Sequence, residues 1–196
     1  MRIGLFGGRF DPPHIGHLIA ADQACELLEL DEVHFIPSQS PPHKPTVAAG
    51  RLRYEMTLLA TAPDARFQVS RVELEREGPS YTFDTVQEVK KRYPSAQLYF
   101  ITGSDAYGDI ASWHRAEELV NEIFMVAVSR PGYNLNSLTA RFRERVRVLD
   151  TVECAVSSTL IRQRIAAGAT VRYLVPELVE RYLVRHHLYR QPMLSG

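Results

Sequence analysis

The chain has 196 residues and a formal net charge of +0, with 45% hydrophobic and 23% charged residues. This length fits one domain with a sizeable core, and the neutral charge balance gives no support to a general nucleic-acid-binding protein. No stretch holds the ~18 uninterrupted apolar residues of a membrane span, and the first residues lack the pattern of a secretory signal. We therefore expect a cytoplasmic protein without nucleic-acid or membrane partners.

The first predicted unit is a strand, a rigid turn and the start of a helix. The apolar run from Ile3 to Phe6 is typical of a short buried strand, and the glycines and prolines that follow predict a tight irregular loop. An apolar helical period begins at about Ile15, which puts His14 and His17 at a helix N-terminus. Such an end carries roughly +0.5 of an elementary charge and unpaired N–H groups, so the pattern favours phosphate binding.

Two other interpretations of the histidine pair stay open. A histidine in a loop can be structural, and two nearby histidines can form half of a zinc site. Zinc-binding pairs on a helix usually lie four residues apart beside a carboxylate general base, whereas His14 and His17 lie three apart. Spacing alone therefore favours phosphate over zinc, and it does not exclude a structural role.

Strands and helices alternate through the rest of the chain. Further strands are predicted at Val33–Pro37, Phe67–Leu74, Gln97–Ile101, Phe124–Val128 and Val146–Leu149. Further helices are predicted at Arg51–Ala62, from a Ser80 or Thr82 cap to about Tyr93, from Val156 to near Gly168, and at Pro176–His186. This alternation predicts a doubly wound α/β fold with a mostly parallel sheet, whose ligands bind beyond the C-terminal ends of the strands.

Polar residues follow several predicted strands. Lys44, Asp105 and Arg130 each lie in the loop or turn that leaves a strand, on the rim expected to bind ligands. Lys44 could instead be a solvated loop charge, and Asp105 could cap the helix that follows. Arg162 stands in a first helical turn, where the helix dipole disfavours a cation unless an anion is bound. Trp113 is the only tryptophan and lies in a polar stretch, although a lone tryptophan more often belongs to a core.

The segment from Gly7 to His17 resembles the H-x-G-H signature of the nucleotidyltransferase superfamily, in the longer form that is similar to bacterial nicotinate-nucleotide adenylyltransferases. Val156–Arg162 resembles the superfamily motif I-S-S-T-x-I-R. Pro79–Thr85 and Gly103–Asp105 resemble the family's pyridine-nucleotide segment and its G-x-D motif. The resemblance covers nearly the whole chain and implies a Rossmann-like nucleotidyltransferase domain over residues 1–196, with the second phosphate-binding helix and the C-terminal helices from about residue 150. The chain departs from the pattern at Arg9, where the family usually has Thr or Ser.

The resemblance also implies roles for particular residues. Catalytic roles fall on His14, His17, Lys44 and Arg162. ATP-binding roles fall on Gly7, Gly8, Phe10, Gly103, Asp105, Arg130, Ser158 and Thr159. Thr82 and Trp113 would bind nicotinate mononucleotide, with the indole of Trp113 stacked on the pyridine ring.

The activity implied by the resemblance is transfer of AMP from ATP to nicotinate mononucleotide, giving deamido-NAD and pyrophosphate in NAD biosynthesis. Mg²⁺ would be carried with ATP, and no residue is expected to hold a metal, because the sequence has no compact carboxylate cage. A homodimer is compatible with the resemblance. Two other functions stay open: an adenylyltransferase that uses nicotinamide mononucleotide or phosphopantetheine, and a non-catalytic nucleotide sensor, for which Arg9 is the only support.

Overall fold

The computed structural model describes residues 1–41, 45–107, 110–128, 142 and 144–190, with Asp105 described by its backbone alone. Within these residues, six strands form one sheet: β1 (Arg2–Gly8), β2 (Glu32–Pro37), β3 (Phe67–Val69), β4 (Gln97–Gly103), β5 (Phe124–Val128) and β6 (Val146–Leu149). The strand order is β3-β2-β1-β4-β5-β6, and every neighbouring pair is parallel. This is the doubly wound order, with its switch point between β1 and β4, so the predicted fold class is confirmed.

Helices connect the strands: α1 (Ile15–Leu28), α2 (Gly50–Thr61), α3 (Thr82–Arg92), α4 (Ser104–Tyr107), a 3₁₀ turn (Ile110–Ser112) and α5 (Ala116–Glu122). After β6 come α6 (Ser158–Ala166) and α7 (Glu177–Arg185). These last two helices pack on α2 through Met56, Ile161, Val179 and Leu183, which are all buried. No helix in the described part of the chain is long and apolar enough to cross a membrane.

The central strands are buried on both faces, which explains apolar runs such as Met125–Val128 in β5. Along β4, Leu98 and Phe100 belong to one core cluster, together with Val86 of α3. The alternate residues Tyr99 and Ile101 belong to the cluster on the opposite face, which includes side chains of α1. Because side chains alternate along a strand, each central strand contributes to two hydrophobic layers.

The predicted strand Phe67–Leu74 is wrong beyond Val69, because only three residues pair with β2. The backbone then turns, and the hydroxyl of Ser70 accepts a hydrogen bond from the N–H of Val72 at 3.3 Å. Val72 is buried but lies three residues after Val69, which breaks the period of two that a continuing strand requires.

The predicted side-chain cap of α3 is also wrong. The N-cap residue is Tyr81, Thr82 is the first helical residue, and no side chain caps the helix. The hydroxyl of Ser80 instead accepts hydrogen bonds from the backbone N–H groups of Gln39 at 3.0 Å and Ser40 at 3.2 Å. Ser80 therefore joins the start of α3 to the loop that follows β2.

Candidate active site

A cavity of about 460 Å³ lies at the C-terminal ends of β1 and β4. Its walls come from those two strand ends and from the N-termini of three helices. The lining includes Gly7, Gly8, His14, His17, Tyr81, Thr82, Thr102, Gly103, Ser157, Ser158 and Thr159. Its position at the switch point is the expected ligand site of an open α/β sheet.

The two histidines form one unit at the start of α1. His14 is the N-cap residue and is 3% exposed, and its ring centroid lies 3.7 Å from that of His17. The backbone N–H of His14 donates to Nδ1 of His17 at 3.1 Å. Because Nδ1 accepts a hydrogen bond, Nε2 of His17 carries the ring proton and is its donor nitrogen.

A buried ring supports the glycine turn before the histidines. Phe10 has φ 49° and is 1% exposed, and its ring packs edge-on to His17 with centroids 5.0 Å apart. A Cβ on Gly8 would lie 2.9 Å from the Phe10 ring. Position 8 therefore requires glycine, because the backbone there passes directly over this ring. Since the Phe10 ring lies in the core, any contact between this residue and a bound ligand would come from its backbone.

Side chains from other elements hold the carbonyl groups of this loop. The carbonyl oxygens of residues 9, 11 and 12 accept hydrogen bonds from Nη1 of Arg53 at 2.8 Å, Nη1 of Arg162 at 2.7 Å and Oγ of Ser158 at 2.8 Å. Arg53 is fully buried, and its Nε also donates to the Ala48 carbonyl at 3.0 Å. Burial lowers the pKa of Arg53, against the opposing field of the Asp11 carboxylate. The loop is thus fixed by α2 and α6.

The carboxylate of Asp11 joins three separate parts of the chain. It is 1% exposed and accepts from the N–H of Val47 at 2.6 Å, from the N–H of Ala48 at 3.1 Å and from the Tyr189 hydroxyl at 2.6 Å. Burial, followed by the Asp11 carboxylate, raises the pKa of Tyr189 far above its ordinary value, so its hydroxyl stays protonated and donates. The C-terminal segment thereby contacts the histidine loop directly.

The N-terminus of α6 forms a second donor group beside the cavity. Ser157 is its N-cap, with Oγ accepting from the N–H of Leu160 at 3.2 Å, which confirms the predicted Ser or Thr cap. Arg162 is half-buried beside the cavity, and its Nη2 donates to Oγ1 of Thr159 at 3.3 Å. Two helix N-termini, α1 and α6, therefore meet at one cavity, an arrangement suited to a phosphate chain.

Aromatic rings form another part of the lining. The rings of Tyr81 and His114 stack with centroids 4.4 Å apart, and both line the cavity beside Thr82 and Trp113. Trp113 is half-buried and stacks on the buried ring of Tyr107 at 5.7 Å. The indole therefore packs on the core on one side and borders the cavity on the other, and its contact with a ligand stays a prediction.

The charge of the lining is one-sided. Its ionisable side chains are Arg9, His14, Tyr81, His17 and His114, and the described side chains of the lining include no Asp or Glu. In a chain with a net charge of +0, the described lining of this cavity thus carries a guanidinium and three imidazoles but no carboxylate. Such a surface attracts an anionic ligand.

Comparison with known proteins agrees with the geometry. The cytidylyltransferase-like family model matches residues 5–164. A protein of Thermus thermophilus named "Probable nicotinate-nucleotide adenylyltransferase" is 53% identical over 190 residues, covering 97% of this chain and 100% of that protein. The chain belongs to the nicotinate-nucleotide adenylyltransferase family. A relative of the same name from Clavibacter sepedonicus is 46% identical and covers 98% of this chain and 96% of its own length.

A solved structure shares the fold of this nicotinate-nucleotide adenylyltransferase family member. It is the nicotinic acid mononucleotide adenylyltransferase of Plasmodium falciparum, complexed with NaAD. The TM-score is 0.80 at 20% identity, with 96% of this chain and 97% of that chain covered. At this identity the likeness shows the fold alone.

Most of the predicted site residues meet at the cavity. The lining includes Gly7, Gly8, Phe10, His14, His17, Thr82, Gly103, Trp113, Ser158 and Thr159, and Arg162 adjoins it. Lys44 and Arg130 lie outside the described residues. Asp105 falls inside α4, which begins at Ser104, so it does not precede that helix as a cap. The roles assigned to all these residues stay predictions.

Sequence reasoning missed three residues that hold the site together: Asp11, Arg53 and Tyr189. Arg53 left a signal, because it precedes Met56 and Ala60 on the buried stripe of α2, where a cation is unexpected. Asp11 lies inside the Gly7–His17 signature, but its contact with Tyr189 left no signal, since it joins positions 178 residues apart.

Proposed function

We propose that this chain transfers AMP from ATP to nicotinate mononucleotide, giving deamido-NAD and pyrophosphate in NAD biosynthesis. The name shared by its relatives supports the activity. The observation that carries the proposal is the meeting of the histidine pair on α1 with the N-terminus of α6 at a cavity whose described lining has no Asp or Glu. Such a site binds phosphate chains through donors on two sides.

The chemistry needs no nucleophile from the protein. An oxygen of the ionised 5′-phosphate of nicotinate mononucleotide attacks the α-phosphorus of ATP, and a new P–O bond forms. The bond between the α-phosphorus and its bridging oxygen to the β-phosphorus breaks, and pyrophosphate leaves with the electron pair. The protein contributes alignment and charge stabilisation, which are the main catalytic contributions in phosphoryl-type transfer.

The phosphate-binding roles follow from the donors around the cavity. Nε2–H of His17 donates to the α-phosphate as its charge develops, and His14 acts beside it. Arg162 and the N-terminus of α6 bind the β- and γ-phosphates, and Lys44 is proposed to act there too. Gly7 lets the ATP phosphates approach the backbone closely. Mg²⁺ enters with ATP as part of the substrate.

The acceptor is proposed to bind at Thr82 and Trp113. The N-terminus of α3 offers backbone donors near the carboxylate of the pyridine ring, because the first N–H groups of a helix have no partner within the helix. Stacking of the pyridine ring on Trp113 would contribute roughly 1 to 3 kcal/mol, by analogy with contacts between bases and aromatic side chains. Gly103, which ends β4, and Asp105, which follows it in α4, are proposed to contact the ATP nucleoside. Arg130, which lies outside the described residues, is proposed to bind ATP with them.

The test is pyrophosphate release from ATP and Mg²⁺ with one acceptor in each reaction. We expect rapid release with nicotinate mononucleotide and little release with nicotinamide mononucleotide or phosphopantetheine. Preference for another acceptor would contradict the assignment of the pyridine site but keep the reaction class. Release with none of the three, from folded protein that binds ATP, would favour the sensor. A cytoplasmic location and a homodimer stay predictions, which cell fractionation and sedimentation would test.

A further inference from the structure

Arg9 is the residue at which this chain departs from the family's usual Thr or Ser, and it lines the cavity. Its backbone is held by its neighbours. The Arg9 carbonyl accepts from Nη1 of the fully buried Arg53 at 2.8 Å, and the next residue, Phe10, has its ring in the core. The backbone of Arg9 is therefore anchored where its side chain borders the cavity.

The guanidinium of Arg9 makes no described salt bridge. Its Nη1 donates to the Pro45 carbonyl at 3.2 Å, which uses one of five N–H groups. Other arginines on the described surface pair with carboxylates, as Arg66 does with Asp64 and Arg181 with Glu177. Arg9 therefore keeps its positive charge and most of its donors at a cavity whose described lining has no Asp or Glu.

The contacts of Arg9 link it to the part of the cavity assigned to the β- and γ-phosphates of ATP rather than to the part assigned to the acceptor. The Arg9 carbonyl accepts a hydrogen bond from Arg53 of α2. The Arg9 guanidinium donates one to the carbonyl of Pro45, which precedes that helix.

The loop that contains Arg9 is joined to α6, to which the β- and γ-phosphates are assigned, because the Asp11 carbonyl accepts from Nη1 of Arg162 at 2.7 Å. The acceptor is assigned instead to the start of α3 and to Trp113. A guanidinium binds phosphate oxygens in pairs, so pyrophosphate is a chemically matched ligand.

We propose that Arg9 is a substrate-binding residue that holds the pyrophosphate half of ATP and the pyrophosphate product. This inference rests on the proposed function for its meaning in turnover, but the binding of inorganic pyrophosphate tests it separately. A cation at this position binds the product as well as the substrate. The consequence is strong product inhibition by pyrophosphate in this chain.

The test is calorimetric titration of the whole protein with inorganic pyrophosphate and Mg²⁺, without acceptor. We expect Arg9→Thr to weaken pyrophosphate binding by roughly tenfold, and Arg9→Lys to weaken it less because the charge is retained. Arg181→Thr is the matched control, since Arg181 is exposed on α7 and pairs with Glu177, and it should bind as the wild type does. In turnover, Arg9→Thr should raise the KM for ATP and the inhibition constant of pyrophosphate together, and leave the KM for nicotinate mononucleotide unchanged.

Two results would overturn the inference: pyrophosphate binding that is equal in Arg9→Thr and the wild type, or an effect confined to the KM for nicotinate mononucleotide. Should the Thr variant not fold, Arg9→Gln keeps the chain length, removes the charge and is judged by the same criteria. Wild-type protein that binds pyrophosphate through Arg9, yet releases none with nicotinate mononucleotide, would contradict the proposed function and leave this inference standing.

Discussion

The two ends of the cavity are built in different ways. At the phosphate end, the loop from Gly7 to His17 has carbonyl groups held by Arg53, Arg162 and Ser158. At the acceptor end, the lining includes the stacked rings of Tyr81 and His114, beside the Ser80 hydroxyl that accepts from the N–H groups of Gln39 and Ser40. Fixed hydrogen bonds suit the end where charge develops, because preorganised donors stabilise the transition state most. Aromatic surfaces suit the end that only recognises a ring.

The largest effect is expected from His17→Ala at the phosphate end. Removal of one preorganised donor should lower kcat by roughly 10² to 10³, with little change in the KM for nicotinate mononucleotide. Steady-state kinetics with both substrates saturating would measure this. His186→Ala, at an exposed histidine after α7, is the control and should keep wild-type turnover. A folded His17→Ala protein with wild-type kcat would remove His17 from the mechanism.

At the acceptor end, Trp113→Ala should change affinity rather than turnover. Loss of about 1 to 3 kcal/mol of stacking should raise the KM for nicotinate mononucleotide by roughly tenfold or more, and the KM for ATP much less. Trp113→Phe keeps a ring against Tyr107 and should recover part of the affinity. An increase confined to the KM for ATP would reverse the assignment of the two ends.

Tyr189→Phe tests whether the phosphate end depends on the C-terminal segment. The variant removes one of the three hydrogen bonds to the Asp11 carboxylate, and we expect the free energy of unfolding to fall by about 1 kcal/mol. The KM for ATP should rise a few-fold as residues 47 and 48 loosen, and the KM for the acceptor should not. Chemical denaturation and kinetics measure the two effects. Tyr173→Phe, at an 83% exposed ring, should change neither.

The smallest effect is expected from Glu73→Gln, beneath the acceptor end. Glu73 accepts from Oγ1 of Thr85 at 2.8 Å, and its burial raises its pKa above the ordinary value of 4.5. When the pKa of a carboxyl is higher in the folded than in the unfolded protein, the protonated group stabilises the folded state at a pH below the unfolded-state pKa. This stabilisation is lost as the pH rises through the folded-state pKa. Urea unfolding should therefore show the Gln variant gaining stability relative to the wild type as pH rises from about 4.5. A difference that is independent of pH, or shared by the exposed control Glu77→Gln, would contradict the role of burial.

The sequence predicted best what depends on buried local pattern. The bounds of Phe124–Val128 agree with β5, because a parallel strand covered on both faces is a continuous apolar run. The bounds of Val146–Leu149 agree with β6 as well, although this edge strand exposes Arg147 and Val148. The strand at Phe67 failed because an edge strand is only as long as its pairing with β2, which its own residues do not encode. The length of an edge strand such as β3 therefore depends on the neighbouring strand with which it pairs, here β2.

The candidate site shows the same difference between short-range patterns, which the sequence reveals, and long-range contacts, which it does not. The meeting of His14 and His17 at a helix N-terminus and the Ser157 cap were predictable, because each contact joins residues only three positions apart. The cap predicted at Ser80 was wrong because its hydroxyl serves backbone N–H groups 40 and 41 residues away. The link between Asp11 and Tyr189 spans almost the whole chain, and a single sequence holds no periodic signal for such a pair.

The link between Asp11 and Tyr189 also sets the order in which the site can be completed during synthesis. Both histidines are translated well before Tyr189, and the Asp11 carboxylate beside them lacks its hydroxyl donor until that residue, 178 positions after Asp11, has been added. A chain that stops before Tyr189 carries the whole histidine signature and an unfinished phosphate site. The phosphate site is therefore completed only after Tyr189 has been translated and has folded back onto the loop.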